Sequence, residues 1–228
     1  MTLQMVTDKY KRYLLLEKGL STNTIEAYMS DLQKLVGFCT ELKINVIDLR
    51  REHLEQFLAS IYDQSLSPRS TARIISGLKS FFRFLQLEKY RGDDPTELLE
   101  TPKTGLKLPL VLSLEEVDAI LAVIDLSTAG GTRNYAIIET LYSCGLRISE
   151  LTSLRFSDFF PEEGFIRVEG KGSKQRLVPI SDTAIQKIKD WLHYRNQISI
   201  KKGNEDIVFV SSRGKAISRV TVFHYIKQ

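Results

Sequence analysis

The feature that most constrains this chain is a change of hydrophobic period near its middle. Up to about residue 100 the apolar residues recur at helical spacing only; beyond Ser113 helical stretches are interrupted by a segment of period two. Between them lies DDPTELLETPKTGLKLPLVLS, residues 93–113, which holds three of the six prolines and almost no periodicity. A chain of 228 residues divided this way reads as two domains. The expected boundaries are a helical domain at 1–102, a linker at 103–112 and a second domain at 113–228.

Four helices are expected in the first part. Residues 3–18 carry Leu3, Val6, Tyr10, Tyr13, Leu14 and Leu16 before Gly19. The second helix is expected to be capped by Asn23 with Glu26, and a third to begin near Asp48. The fourth has Ser67 as N-cap, Pro68 at the first helical position and Ile74, Ile75, Leu78, Phe81, Phe82 and Leu85 on one face. In the second part, Ser113 and Glu116 have capping-box spacing, a helix over about 131–144 ends at Gly145, and a short helix follows from Ile148. Alternation over 165–169 and 176–180 around GKGSK predicts a β-hairpin. A helix over 183–198, a short strand at 207–210 and a helix from near Ser218 complete the reading. The fold class is mainly α with a small β-hairpin or sheet.

Hydrophobic residues make up 43% and charged residues 26%, which excludes disordered and fibrous chains. No apolar run approaches the roughly 18 residues of a membrane span, and the start MTLQMVTDKYKR lacks a signal-peptide core. Cys39 and Cys144 sit in apolar helical patterns, as buried thiols in a reducing compartment do, so a cytoplasmic location is expected. The net charge of +4 is a weak signal, and charge placement says more.

Arg69, Arg73, Lys79 and Arg83 lie along the fourth helix with no acidic residue between Asp63 and Glu88, and Ser70 sits beside the first pair. Such a face can donate to DNA phosphates and base edges; spacing alone fits a solvated helix face equally well. Arg147 follows the glycine that should end one helix and precedes the next, a place from which a guanidinium can grip a phosphate. Pairing with Glu150 at the surface is the plainer alternative. In GKGSKQR, Lys171 stands between glycines with Lys174 and Arg176 just after, a mobile positive turn or merely a soluble one. His53, His193 and His224 are isolated, which argues against a metal site, and Tyr225 reads as helix packing. No phosphate-binding loop, dinucleotide fingerprint or Ser-His-Asp arrangement occurs, so no cofactor is expected.

The ordered segments EKGLSTNTIEAYMSDL, TARIISGLKSFFRFL, DDPTELLETPK, LPLVLSLEEVDAIL, LYSCGLRISELTSL and GKGSKQRLVPIS resemble the tyrosine recombinases, or phage integrases, of the bacterial Xer type. The resemblance implies a four-helix, SAM-like core-binding domain followed by the first part of an α+β catalytic domain, the two clamping double-stranded DNA. It implies site-specific recombination through attack of a tyrosine hydroxyl on a phosphodiester, with a 3′-phosphotyrosyl intermediate and neither metal nor nucleotide cofactor. On this resemblance Arg147 binds the scissile phosphate, Lys171 protonates the leaving 5′ oxygen, Glu150 supports the site, and Arg69, Ser70, Arg73, Lys79, Lys174 and Arg176 contact DNA. The family pattern continues with H-x-L-R-H and then the nucleophilic tyrosine. These 228 residues hold neither, so an incomplete chain, inactive alone and tetrameric with sister subunits when full length, is expected. The alternative is a non-catalytic DNA-binding protein that occupies recombination sites.

Overall fold

The computed structural model describes residues 3–63, 66–102, 105, 108, 111–170, 172 and 174–227. The chain divides into two units, Met1–Leu108 and Pro109–Gln228.

The first unit is built from α1 (Leu3–Leu16), α2 (Thr22–Leu42), a 3-10 turn at Val46–Asp48, α3 (Arg51–Asp63) and α4 (Pro68–Leu87). Helix α4 is its axis. The Ser67 hydroxyl accepts the Ser70 amide at 3.2 Å and Pro68 occupies the first turn, so the start is fixed by cap and ring together. Ile74, Ile75, Leu78, Phe81, Phe82 and Leu85 are all buried, and Phe81 meets the Tyr10 ring edge-on at 5.1 Å. Helix α2 comes so close to α4 that a Cβ on Gly77 would stand 3.3 Å from Tyr28. Two expectations change here. Ser21, not Asn23, is the N-cap of α2, because the helix begins at Thr22 and Asn23 falls inside its first turn. Leu16 is 77% exposed: at 100° per residue it lies well off the stripe formed by Val6, Tyr10, Tyr13 and Leu14.

The second unit opens with α5 (Leu114–Ala122), where Ser113 and Glu116 form the reciprocal capping box expected of them. Helix α6 (Ala129–Cys144) starts two residues earlier than the pattern suggested, capped by Thr128, and packs along α8 (Asp182–Arg195). Between them come α7 (Ile148–Thr152) and an antiparallel sheet ordered β1 (Phe159–Phe160), β2 (Phe165–Glu169), β3 (Gln175–Pro179). Strand β1 was invisible to periodicity, since two residues carry no period. The expected hairpin is present, its second strand one residue earlier than the 176–180 alternation suggested, with Glu169 facing Gln175 and Phe165 facing Pro179.

The strand expected at 207–210 is not a sheet strand. Val208, Phe209 and Val210 are fully buried, but they bond to loops, Val208 N–H to Leu154 O at 2.9 Å and Ile217 N–H to Phe209 O at 3.1 Å. Arg195, itself buried, fastens this segment by donating to the carbonyls of Glu205 and Ile207. Helix α9 (Arg219–Lys227) ends the description. None of the helices is both long and apolar enough to cross a membrane among the described residues.

Candidate nucleic-acid phosphate site

The turn that presents Arg147 is set by backbone conformation. Gly145 adopts φ +57°, closing α6 in the left-handed region where a side chain is strained. Leu146 then turns inward and is buried, and Arg147 is extended as the N-cap of α7. Glu150, at the third position of α7, reaches back so that its Oε2 accepts the Arg147 amide at 2.9 Å. Its Oε1 accepts from Arg147 Nη1 at 3.0 Å. From β3, Arg176 closes on the same carboxylate with two parallel bonds, Nη1 to Oε1 and Nη2 to Oε2, each 2.9 Å.

One buried carboxylate thus holds two guanidiniums. The Glu150 side chain is 4% exposed, while that of Arg147 is 73% exposed. The Arg176 bonds, first among several, hold the Glu150 pKa down at about 2 despite the opposing cost of burial, so it stays ionised. Two cations around one anion leave a net positive charge, and Arg147 retains most of its donors for solvent or a ligand. The arrangement can hold an anionic oxygen pair while keeping the guanidinium from collapsing onto the surface.

The other expected site residues fall as follows. Lys171 lies outside the described residues. Lys174 is exposed beside the hairpin turn, where Gly172 has φ +76° and the Gly170 amide donates to Lys174 O at 2.8 Å. Arg176, expected to contact DNA, is paired through its fork with Glu150, its side chain 41% exposed. On α4, Arg69 and Arg83 are exposed and Lys79 half-buried, and none has a carboxylate within 4 Å among the described residues. Ser70 serves the cap, its hydroxyl 3.0 Å from that of Ser67. Arg73 differs from its neighbours: Nη1 stands 2.9 Å from Asp31 Oδ2 and donates to Ala27 O at 3.3 Å, while Asp31 is 1% exposed. Neither Asp31 oxygen receives an aligned hydrogen bond, and burial raises its pKa against the pull of Arg73 and Lys34. Sequence reasoning passed over Asp31 because a lone aspartate in a helix carries no signal of burial. The nearest signal was its place at the edge of the apolar stripe of α2, three residues after Tyr28 and four before Leu35.

Comparison with known proteins agrees with the fold. Residues 111–228 match the Phage integrase family, and residues 7–89 match the phage integrase N-terminal SAM-like domain. The chain belongs to the phage integrase family, the tyrosine recombinases. Among its relatives, tyrosine recombinase XerD of Staphylococcus aureus is 39% identical over 227 residues, covering 99% of this chain and 77% of that protein. The XerD of Staphylococcus saprophyticus is 40% identical over 224 residues, 98% of this chain and 76% of the relative. Solved structures share the fold. A lambda integrase tetramer bound to a Holliday junction superposes with a TM-score of 0.73 at 20% identity, covering all of this chain and 62% of that one. XerH bound to its difH substrate before cleavage gives 0.71 at 21% identity, covering 96% and 66%.

Proposed function

We propose that this chain binds duplex DNA at a recombination site and supplies the phosphate-gripping half of a tyrosine recombinase active site, acting in the cytoplasm with sister recombinase subunits. The observation that carries this reading is the exposed Arg147 guanidinium anchored to a buried Glu150. Arg147 grips and neutralises the scissile phosphate, where donors fixed in advance favour the charge that develops as the phosphorus is attacked. Glu150 holds that arginine in place, and Lys171 is assigned the proton delivered to the leaving 5′ oxygen. Arg69, Lys79, Arg83 and Lys174 neutralise flanking phosphates, with Ser70 at the same end of α4. Arg73 and Arg176 contribute to the DNA face while held by carboxylates. Buried, unpaired Cys39 and Cys144 accord with a reducing compartment.

The test is a nicked suicide DNA site carrying the relatives' recombination sequence. The 228-residue chain is expected to bind it without forming a covalent adduct, and Arg147→Ala to lose affinity by about tenfold while its circular dichroism is unchanged. A trapped phosphotyrosyl adduct would overturn the assignment of these residues to binding without cleavage. Unchanged affinity in the variant would remove Arg147 from the phosphate.

A further inference from the structure

The ion pair that joins α2 to α4 is unbalanced. The Asp31 side chain is 1% exposed and that of Arg73 40% exposed, with Oδ2 and Nη1 2.9 Å apart. Neither carboxylate oxygen receives an aligned hydrogen bond. Buried carboxylates are normally hydrogen-bonded, since an unsatisfied charge is costly away from water. The helices do not part here to hydrate it: one turn beyond Arg73, a Cβ on Gly77 would stand 3.3 Å from Tyr28.

The charged groups that act on Asp31 are Arg73 from α4 and Lys34 from α2 itself, whose Nζ is 3.5 Å away; none from α1 or the Val46–Asp48 turn does so among the described residues. Burial outweighs both cations, so this carboxylate takes up a proton more readily than an ordinary aspartate. Once it does, the ion pair is lost and the 3.3 Å bond to Ala27 O is what still holds the Arg73 guanidinium. Arg73 follows the exposed Arg69 by four residues, so the two share one face of α4. No acidic residue between Asp63 and Glu88 can recapture it on its own helix.

We infer that Asp31 sets whether Arg73 takes part in DNA binding: the ionised carboxylate restrains Arg73 against α2, and the protonated acid releases it to a phosphate beside the one that Arg69 meets. The proton comes from solvent, and Arg73 stays charged in both states. DNA binding and proton uptake are then linked, because a phosphate that draws Arg73 away leaves the buried carboxylate with Lys34 alone. The inference rests on the DNA-binding reading of α4 given above.

The experiment is anisotropy of a labelled duplex carrying the relatives' recombination sequence, over a salt series at pH about 7 and about 4.5, with the unaltered chain, Asp31→Asn, Arg73→Ala and the double variant. At pH about 7, Asp31→Asn is expected to bind about fivefold more tightly at about 0.1 M salt and to steepen the slope of log affinity against log salt by about 0.9, the effect of one further phosphate. That gain should vanish in the Arg73→Ala background. Lowering the pH should steepen the slope of the unaltered chain toward that of Asp31→Asn and leave Arg73→Ala behind, a response that a carboxylate serving only the fold would not give. Should Asp31→Asn fail to fold, the pH comparison between the unaltered chain and Arg73→Ala decides the matter. Equal slopes for the unaltered chain and Asp31→Asn at pH about 7, a gain that survives Arg73→Ala, or the same pH response with and without Arg73 would overturn the inference while the DNA reading stands. Absence of salt-dependent binding in every chain would remove the DNA reading itself.

Discussion

At the scale of single residues, Glu150 decides how the Arg147–Arg176 cluster behaves. Two guanidiniums and a backbone amide converge on it, and the Arg176 fork contributes most to keeping its pKa at about 2. The sign follows from linkage. A glutamate in the unfolded chain titrates near 4.3, so the folded chain keeps its proton off at lower pH than the unfolded chain does. The stabilisation is complete above about 4.3, declines as pH falls, and is gone once the pH passes through about 2. Glu150→Gln should therefore lose about 1–3 kcal/mol at pH 6, a loss moderated by the exposure of both arginines. Urea unfolding followed by Trp191 emission measures it. The gap between variant and unaltered chain should narrow as the pH is lowered from 4 to 2; a gap independent of pH would mean that the carboxylate's charge does not hold the cluster. Sequence spacing found Arg147 and Glu150 because both belong to one helix start. It did not show the pairing of Arg176 with Glu150, since a contact across 26 residues depends on the hairpin folding back onto α7.

At the scale of elements, the parts most readable from sequence were those whose signals are local. The Ser67–Pro68 start of α4, the Ser113–Glu116 box and the Gly145 terminus all rest on residues within four positions of one another. The segment around Val208 was misjudged for the opposite reason: its apolar run reports burial, while the backbone partners that distinguish strand from loop lie more than fifty residues away at Leu154. Gly145 carries a direct consequence. Gly145→Ala would put a Cβ into the left-handed region at a cost of about 1–2 kcal/mol, and the strain falls on the turn that aims Arg147. The substitution should lower DNA affinity as well as stability, and equal DNA binding in the two proteins would show that the turn does not aim the arginine. The α2–α4 contact answers to pH with the other sign. Burial raises the Asp31 pKa above that of the unfolded chain, so the folded chain takes up a proton first and the first unit should gain stability as pH falls through the raised value. NMR-resolved urea titrations of α2 and α4 resonances should show this gain in the unaltered chain and a flat profile in Asp31→Asn.

For the whole molecule, the sum of charges conceals their arrangement. Residues 1–102 carry 14 cationic and 14 anionic side chains and residues 103–228 carry 18 and 14, so net charge alone would predict weak and nearly salt-insensitive DNA binding. Placement predicts otherwise. Arg69, Lys79, Arg83 and Arg147 each present a cation without a full partner or mostly in solvent, whereas Arg73 and Arg176 are held by Asp31 and Glu150. Each phosphate neutralised contributes about −0.9 to the slope of log affinity against log salt, so the first four together give about −4. Alanine at Arg69, Lys79 or Arg83 should reduce the magnitude of that slope by about 1 with little change in stability. Alanine at Arg73 or Arg176 should leave the slope closer to its original value and cost stability, because each removes one of the two cations beside a buried carboxylate. Fluorescence anisotropy with a labelled duplex over a salt series, paired with urea melts of the same five variants, separates the two groups. If all five changed the slope alike, the carboxylates beneath Arg73 and Arg176 would not be restraining them, and the DNA-facing charge would be a uniform patch in place of four separately placed contacts.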